Sequence, residues 1–222
     1  METYIKKTVL IGHVLLFSLM VYCQDLNHSF KPGQIWPATE GKHINAHGGG
    51  IIYYNDSYYW FGEYRLPRLE KDRSRYGVSC YSSKDLLNWK NEGLALKVIN
   101  DTASILNPGC VIERPKVVYN KKTGKFVMWF HHELKGQGYK AALTGVAVSD
   151  NITGPYKYIR SLRPNAGTWP VNFPEEYKRP AINEGNLKSW SDDWIVAVKK
   201  GLFVSRDFEG GQMARDMTIF VD

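Results

Sequence analysis

A recurring pattern constrains this chain more than any other feature. Ala46-His47-Gly48-Gly49-Gly50-Ile51-Ile52-Tyr53-Tyr54-Asn55 is followed by the aromatic run Tyr58-Tyr59-Trp60-Phe61-Gly62-Glu63. The same order returns as Glu113-Arg114-Pro115-Lys116-Val117-Val118-Tyr119-Asn120, then Phe126-Val127-Met128-Trp129. A third start stands at Arg215-Asp216-Met217-Thr218-Ile219-Phe220. Polar residues, a β-rich run, a turn and an aromatic strand, repeated, are the signature of β-sheets arranged radially about an axis. Such an array sets polar side chains at equivalent rungs of successive sheets, where a propeller keeps its central pocket.

The spacing predicts a first unit over about 46–96, with later strands at 76–82 and around 89–96 and a polar turn closed by Trp89 between them. The second unit reads as a strand at 116–120, a hairpin turn at 121–125 with Gly124 at its strained position, and strands at 126–131 and 145–149. A turn at 150–156 then leads to an outer strand. Tyr81-Ser82-Ser83-Lys84-Asp85-Leu86 parallels Val148-Ser149-Asp150-Asn151-Ile152, the best internal sign of repetition. Over 163–201 the pattern weakens: Pro164, Pro170, Pro174 and Pro180 interrupt it, 194–198 reads as a strand, and no amphipathic helix is expected. A polar lead over 24–45, with Pro32 and Pro37, precedes the first unit.

Residues 1–23 read as a signal peptide. Lys6 and Lys7 form its positive end and 9–21 its apolar stretch, too short for a comfortable membrane span. Cleavage after Cys23 is the favoured processing; a lipid anchor on Cys23 is the rival, disfavoured by the bulky Tyr22 before it. Either way the expected destination is outside the cytoplasm: periplasm, cell surface or medium. In an oxidising compartment Cys80 and Cys110 are free to pair, and two buried thiols are the alternative. The formal charge of +7 is spread thinly, with no continuous basic helix. That describes a solvated surface, open to an acidic polysaccharide, and argues against nucleic acid as partner. The chain's 14 Tyr and 7 Trp suit either strand cores or sugar-stacking surfaces.

Taken together, the Ala46–Ile51 and Glu113–Val117 motifs and the closing Phe208-Glu209-Gly210-Gly211-Gln212-Met213-Ala214-Arg215-Asp216-Met217 resemble glycoside hydrolase family 43, in its exo-β-1,3-galactanase-like branch. The resemblance runs from about His43 to the end. It implies a five-bladed β-propeller, here incomplete over 46–222: about two blades plus the start of a third. It also implies an exported hydrolase of galactan or arabinogalactan side chains acting with inversion. An inverting site holds an acid that protonates the leaving oxygen and a base that activates water, about 6.5–9.5 Å apart. A further carboxylate raises the acid's pKa by like-charge repulsion.

Carried over to this chain, Asp216 takes the place of the carboxylate that modulates the acid, and Glu113 that of a pocket carboxylate. The family's usual base aspartate would open unit one, where this sequence reads His47-Gly48. The galactanase-like branch dispenses with that base, and His47 is a second candidate for the role. His47, Gly48 and Glu63 are the candidate substrate-binding residues. Local ion pairs of Glu113 with Arg114 and of Asp216 with Arg215 are the structural alternatives, as is a solvated strand end for Glu63. The general-acid glutamate is expected to open unit four, beyond Asp222, so the chain reads as an N-terminal fragment, poorly stable and inactive alone. A non-catalytic carbohydrate-binding propeller is the competing function.

No cofactor is expected, although the resemblance allows a structural calcium on the propeller axis. His43 and His47 suit zinc only on a helix, which the Gly triplet disfavours. His131-His132-Glu133 lacks metal-ligand spacing.

Overall fold

The computed structural model describes residues 26–67, 69, 71, 76–178 and 184–221. The signal segment with Cys23, and Arg68, Arg73, Arg75 and Pro180, lie outside the described residues. Eight strands follow the repeat: β1 (His47–Tyr54), β2 (Ser57–Tyr64), β3 (Gly77–Ser83), β4 (Lys90–Lys97), β5 (Val111–Asn120), β6 (Lys125–Glu133), β7 (Leu143–Ser149) and β8 (Lys157–Leu162). They pair as two four-stranded antiparallel meanders, β1-β2-β3-β4 and β5-β6-β7-β8. This is the expected all-β architecture: two successive propeller blades, whose inner strands β1 and β5 lie against each other.

Period-two alternation decides which residues each sheet buries. Phe61, Val78 and Cys80 of the first sheet meet Ile112, Val117, Met128, Phe130 and Ala147 of the second in one shared core. Complete burial of a Phe or Met side chain stabilises by about 1.5–3 kcal/mol, and Phe61, Met128 and Phe130 are all completely buried. The other face of the first sheet is covered by the lead. There Ala38, Ile44 and Ala46 pack on Tyr81 and Trp89, with Trp36 and Trp60 against them. Trp60 meets Trp89 nearly edge-on at 5.3 Å between ring centroids, an arrangement the ring quadrupoles favour.

The repeat extends to the turns. Ser83 pairs with Tyr58 and Ser149 with Phe126, and each serine Oγ accepts the amide two residues on, from Asp85 at 3.2 Å and from Asn151 at 3.1 Å. The parallel between 81–86 and 148–152 is therefore one local turn chemistry used twice.

Two details differ from the sequence reading. Residues 194–198 lie in a helix, α1 (Asp192–Lys199), followed by α2 (Leu202–Arg206). Ser191 caps α1 by accepting the Trp194 amide at 3.3 Å, with Asp192 and Asp193 in the first turn and Lys199 in the last. Cap and charges together outweigh the β-branched run. Second, 215–220 forms no strand. No described strand offers it a partner, and it is held by discrete contacts: Ala214 N donates to the Ala142 carbonyl, Arg114 pairs with Asp216, and Arg215 donates to the Tyr139 carbonyl. Of the two states left open for Cys80 and Cys110, the structure has the unpaired one: both are free and buried. Burial raises both thiols, Cys110 to about 12 and Cys80 further.

Candidate active site

The two inner strands carry the same irregularity. Between His47 and Gly50 on β1, and between Glu113 and Lys116 on β5, one extra residue enters the ladder. A bulge of this kind bends the strand and re-aims its side chains. Its first residue is left-handed in both blades: Gly48 at φ 58° and Arg114 at φ 55°. Glycine adopts this conformation freely, whereas for arginine it costs about 1–2 kcal/mol. A strained residue kept at the inner-strand bulge points to use.

Register makes His47 and Glu113 equivalent. His47 stands opposite Glu63 on β2, and Glu113 opposite His131 on β6. Each rung pairs one imidazole with one carboxylate, exchanged between inner and second strand. Glu63 is buried, at 6 % exposure, which removes the solvated-end alternative. Its Oε2 lies 3.0 Å from His47 Nδ1 and 3.7 Å from Arg65 Nε, and its Oε1 lies 3.0 Å from the Tyr76 hydroxyl. That hydroxyl accepts the Ile112 amide at 2.8 Å and shares its single hydrogen between Glu63 and the Ile112 carbonyl. Burial and the Glu63 charge push the Tyr76 phenol far up, so it stays a donor. Tyr76 thereby ties the first blade to the start of β5.

Glu113 is served from its own blade. Tyr139 donates to its Oε1 at 3.0 Å, and His131 Nδ1 lies 3.5 Å from its Oε2. The hydrogen bond to Glu113, then burial, raises the Tyr139 phenol. Neither local ion pair weighed from sequence is what the structure makes. Arg114 Nε donates to Asp216 Oδ1 at 2.7 Å, and Arg215 reaches Glu133 and Tyr139 instead. Asp216 is brought to Arg114 at the β5 bulge but stays 80 % exposed at its side chain.

Gly48, Gly49, Gly50, Trp60, Arg114, Lys116, Asp216 and Met217 line an open concavity of about 680 Å³. His47, Trp36, Trp60 and Arg65 line a neighbouring one of about 490 Å³. Lys116 is depressed first by burial and then by the Arg114 charge. A cavity of about 240 Å³ in the lead, around Phe30 and Trp36, carries no carboxylate and hence no acid–base pair.

The structure thus sets Gly48 and Asp216 in one concavity and His47 in the next, with Glu63 and Glu113 on separate rungs, one in each blade. Tyr76, Tyr139, His131 and Glu133 were not among the expected site residues. Alternation along β6 was the available signal, since it places His131 and Glu133 on one face and His132 on the other. Paired carboxylates, phenols and imidazoles beside aromatic faces suit hydroxyl-rich ligands. Among the described residues no group of three or more His, Cys, Asp or Glu has metal-holding geometry.

Two blades, each with a carboxylate–imidazole rung at the bulged end of its inner strand, match solved structures of glycoside hydrolase family 43. A family-43 β-1,3-galactosidase bound to galactodeoxynojirimycin is 49% identical, covering 86% of this chain and 55% of its own, with a TM-score of 0.77. An exo-β-1,3-galactanase from Clostridium thermocellum is 37% identical over 86% of this chain and 32% of its own, at a TM-score of 0.58. The Phanerochaete chrysosporium exo-β-1,3-galactanase with galactose is 40% identical over 60% and 29%, at 0.52. No protein-family model and no curated protein sequence matches the chain. The chain belongs to glycoside hydrolase family 43, in the exo-β-1,3-galactanase-like branch. It spans about half the length of the first of these structures and about a third of the others.

Proposed function

We propose that this chain forms part of the sugar pocket of an exported glycoside hydrolase acting on β-1,3-linked galactan or arabinogalactan by inversion. The observation that carries the reading is the pair of equivalent rungs, His47–Glu63 and Glu113–His131, at the matching bulges of two adjoining inner strands. A buried carboxylate with one oxygen on a phenol and the other near an imidazole is fixed in orientation. It presents its remaining lone pairs to sugar hydroxyls. Glu113 is the pocket carboxylate, while His47 and Glu63 contact substrate and Gly48 lets the backbone approach it. Asp216, steered by Arg114, is the carboxylate that raises the acid's pKa by repulsion. No residue of this chain is assigned the acid's role. The chain alone is therefore expected to bind galactose-type ligands without turning them over.

Calorimetric titration with galactodeoxynojirimycin and β-1,3-galactobiose tests the binding, and turnover of an aryl β-galactoside by the 222-residue chain would refute the assignment of the acid elsewhere. A carbohydrate-binding propeller without catalysis is the second reading, favoured by the hydrogen bonds that already engage both rung carboxylates. Release of α-galactose as first product from β-1,3-galactan, by the protein as its source makes it, decides for the inverting hydrolase. Binding without release decides for the binder. Export rests on the 1–23 segment, and the mass of the mature N-terminus reads whether cleavage or a lipid at Cys23 ends it.

A further inference from the structure

Behind Glu113 lies a buried carboxylate that the proposed pocket does not use. Glu133 has no exposed surface and His131 is 2 % exposed. Glu133 Oε1 lies 2.9 Å from His131 Nε2, and the opposite ring nitrogen is the one facing Glu113 at 3.5 Å. Glu133 Oε2 accepts the amide of Ala142 at 3.0 Å. Ala142 is left-handed, at φ 46°, a conformation that costs a non-glycine residue about 1–2 kcal/mol and needs outside contacts to persist. Its carbonyl in turn accepts the Ala214 amide at 2.8 Å, two residues before Asp216. Arg215 Nη1 completes the circuit, 3.9 Å from Glu133 Oε1.

We propose that Glu133 is a positioning residue coupling the two pocket carboxylates: it holds Glu113 through His131, and the segment bearing Asp216 through Ala142 and Arg215. This deepens the sugar-pocket reading and rests on it for its effect on ligand. A burial this complete is expensive for a carboxylate unless its oxygens are engaged, and here both are. The side chain cannot be replaced by its amide without loss. Glutamate offers two acceptor oxygens to the His131 and Ala142 N–H groups, whereas glutamine offers one acceptor and one donor. In Glu133→Gln the amide oxygen keeps the Ala142 N–H and the NH2 faces His131 Nε2, which is satisfied only by moving the ring proton to the Nδ1 that faces Glu113 and so changes what the ring offers that carboxylate.

The test is a double-mutant cycle on galactodeoxynojirimycin affinity with wild type, Glu133→Gln, Glu113→Gln and the double variant. Alongside it, NMR of the His131 ring Nε2–H and the Ala142 amide reads the contacts without ligand. Glu133→Gln is expected to weaken binding about tenfold alone and less than twofold in the Glu113→Gln background, with one of the two N–H signals displaced. Should Glu133→Gln fail to fold, His131→Gln keeps the Ala142 contact and is expected to give the same non-additive loss. Additive losses, or unchanged affinity with unmoved N–H signals, overturn the proposal. If wild type binds no sugar, the pocket reading fails. The coupling is then decided by NMR alone: it stands if Glu133→Gln shifts the amides of both 113 and 216, and falls if it shifts neither or only one.

Discussion

His132 sits one residue from that network and points the other way. It is fully buried, its Nδ1 is 2.7 Å from Ser161 Oγ, and Phe130 and Tyr158 flank its ring. Nε2 finds no hydrogen-bonding geometry, although the Ile105 backbone is near enough to favour the charged ring slightly. Burial dominates and pushes the imidazole down to about 4. An unfolded chain holds the same group near 6.5. Between those values the unfolded state takes a proton that the folded state refuses, so the stability present above pH 6.5 drains as pH falls to 4. The span of about 2.5 units at about 1.36 kcal/mol each amounts to about 3 kcal/mol. Urea midpoints measured from pH 7 to pH 4 on wild type and His132→Phe isolate the group, because other titrations are common to both. The variant is expected to lose about 3 kcal/mol less over that interval. Parallel curves would refute the reasoning, whatever the variant's absolute stability.

Other expectations concern the bulge and the core. In Gly48→Ala the new methyl carbon stands 2.7 Å from Arg114 Nη1 at a backbone φ of 58°. A loss of about 1–2 kcal/mol is expected from the left-handed backbone, with a displaced Arg114–Asp216 pair seen as weaker sugar binding. Gly49→Ala is worse, because its carbon falls 1.7 Å from the Phe61 carbonyl oxygen, which is backbone and cannot swing away. A loss of about 4 kcal/mol or more is expected in chemical denaturation. Cys80 and Cys110, buried with raised thiols, are expected to resist a thiol reagent at pH 8 until denaturant is added; rapid native labelling, mapped by mass, would contradict their placement.

The blades were legible because their signal is local: period-two aromatics, turn residues and a repeated Ser-led turn. The site was less so. His47 and Glu113 were recognised as strand openings, but their equivalence depends on two bulges, one begun by glycine and the other by arginine, and no residue type announces that match. The exchange of imidazole and carboxylate across each rung exists only once β1 is in register with β2 and β5 with β6. Glu63 was therefore left between pocket and solvent, while Tyr76 and Tyr139 went unnoticed among many aromatics. The helix at 192–199 was missed for another reason. Its Ile195-Val196-Ala197-Val198 run reads as strand, whereas Ser191 and the two aspartates after it were the cap signal to weigh.

The central claim is a pocket for β-1,3-linked galactose built on Glu113. Its most direct test is calorimetric titration of β-1,3-galactobiose and xylobiose into wild type and Glu113→Gln. Saturable binding of galactobiose alone, weakened about tenfold or more in the variant, is the predicted result, since a lost charged hydrogen bond costs about 1.5–3 kcal/mol. No galactobiose binding, or equal affinity in wild type and variant, would contradict the claim.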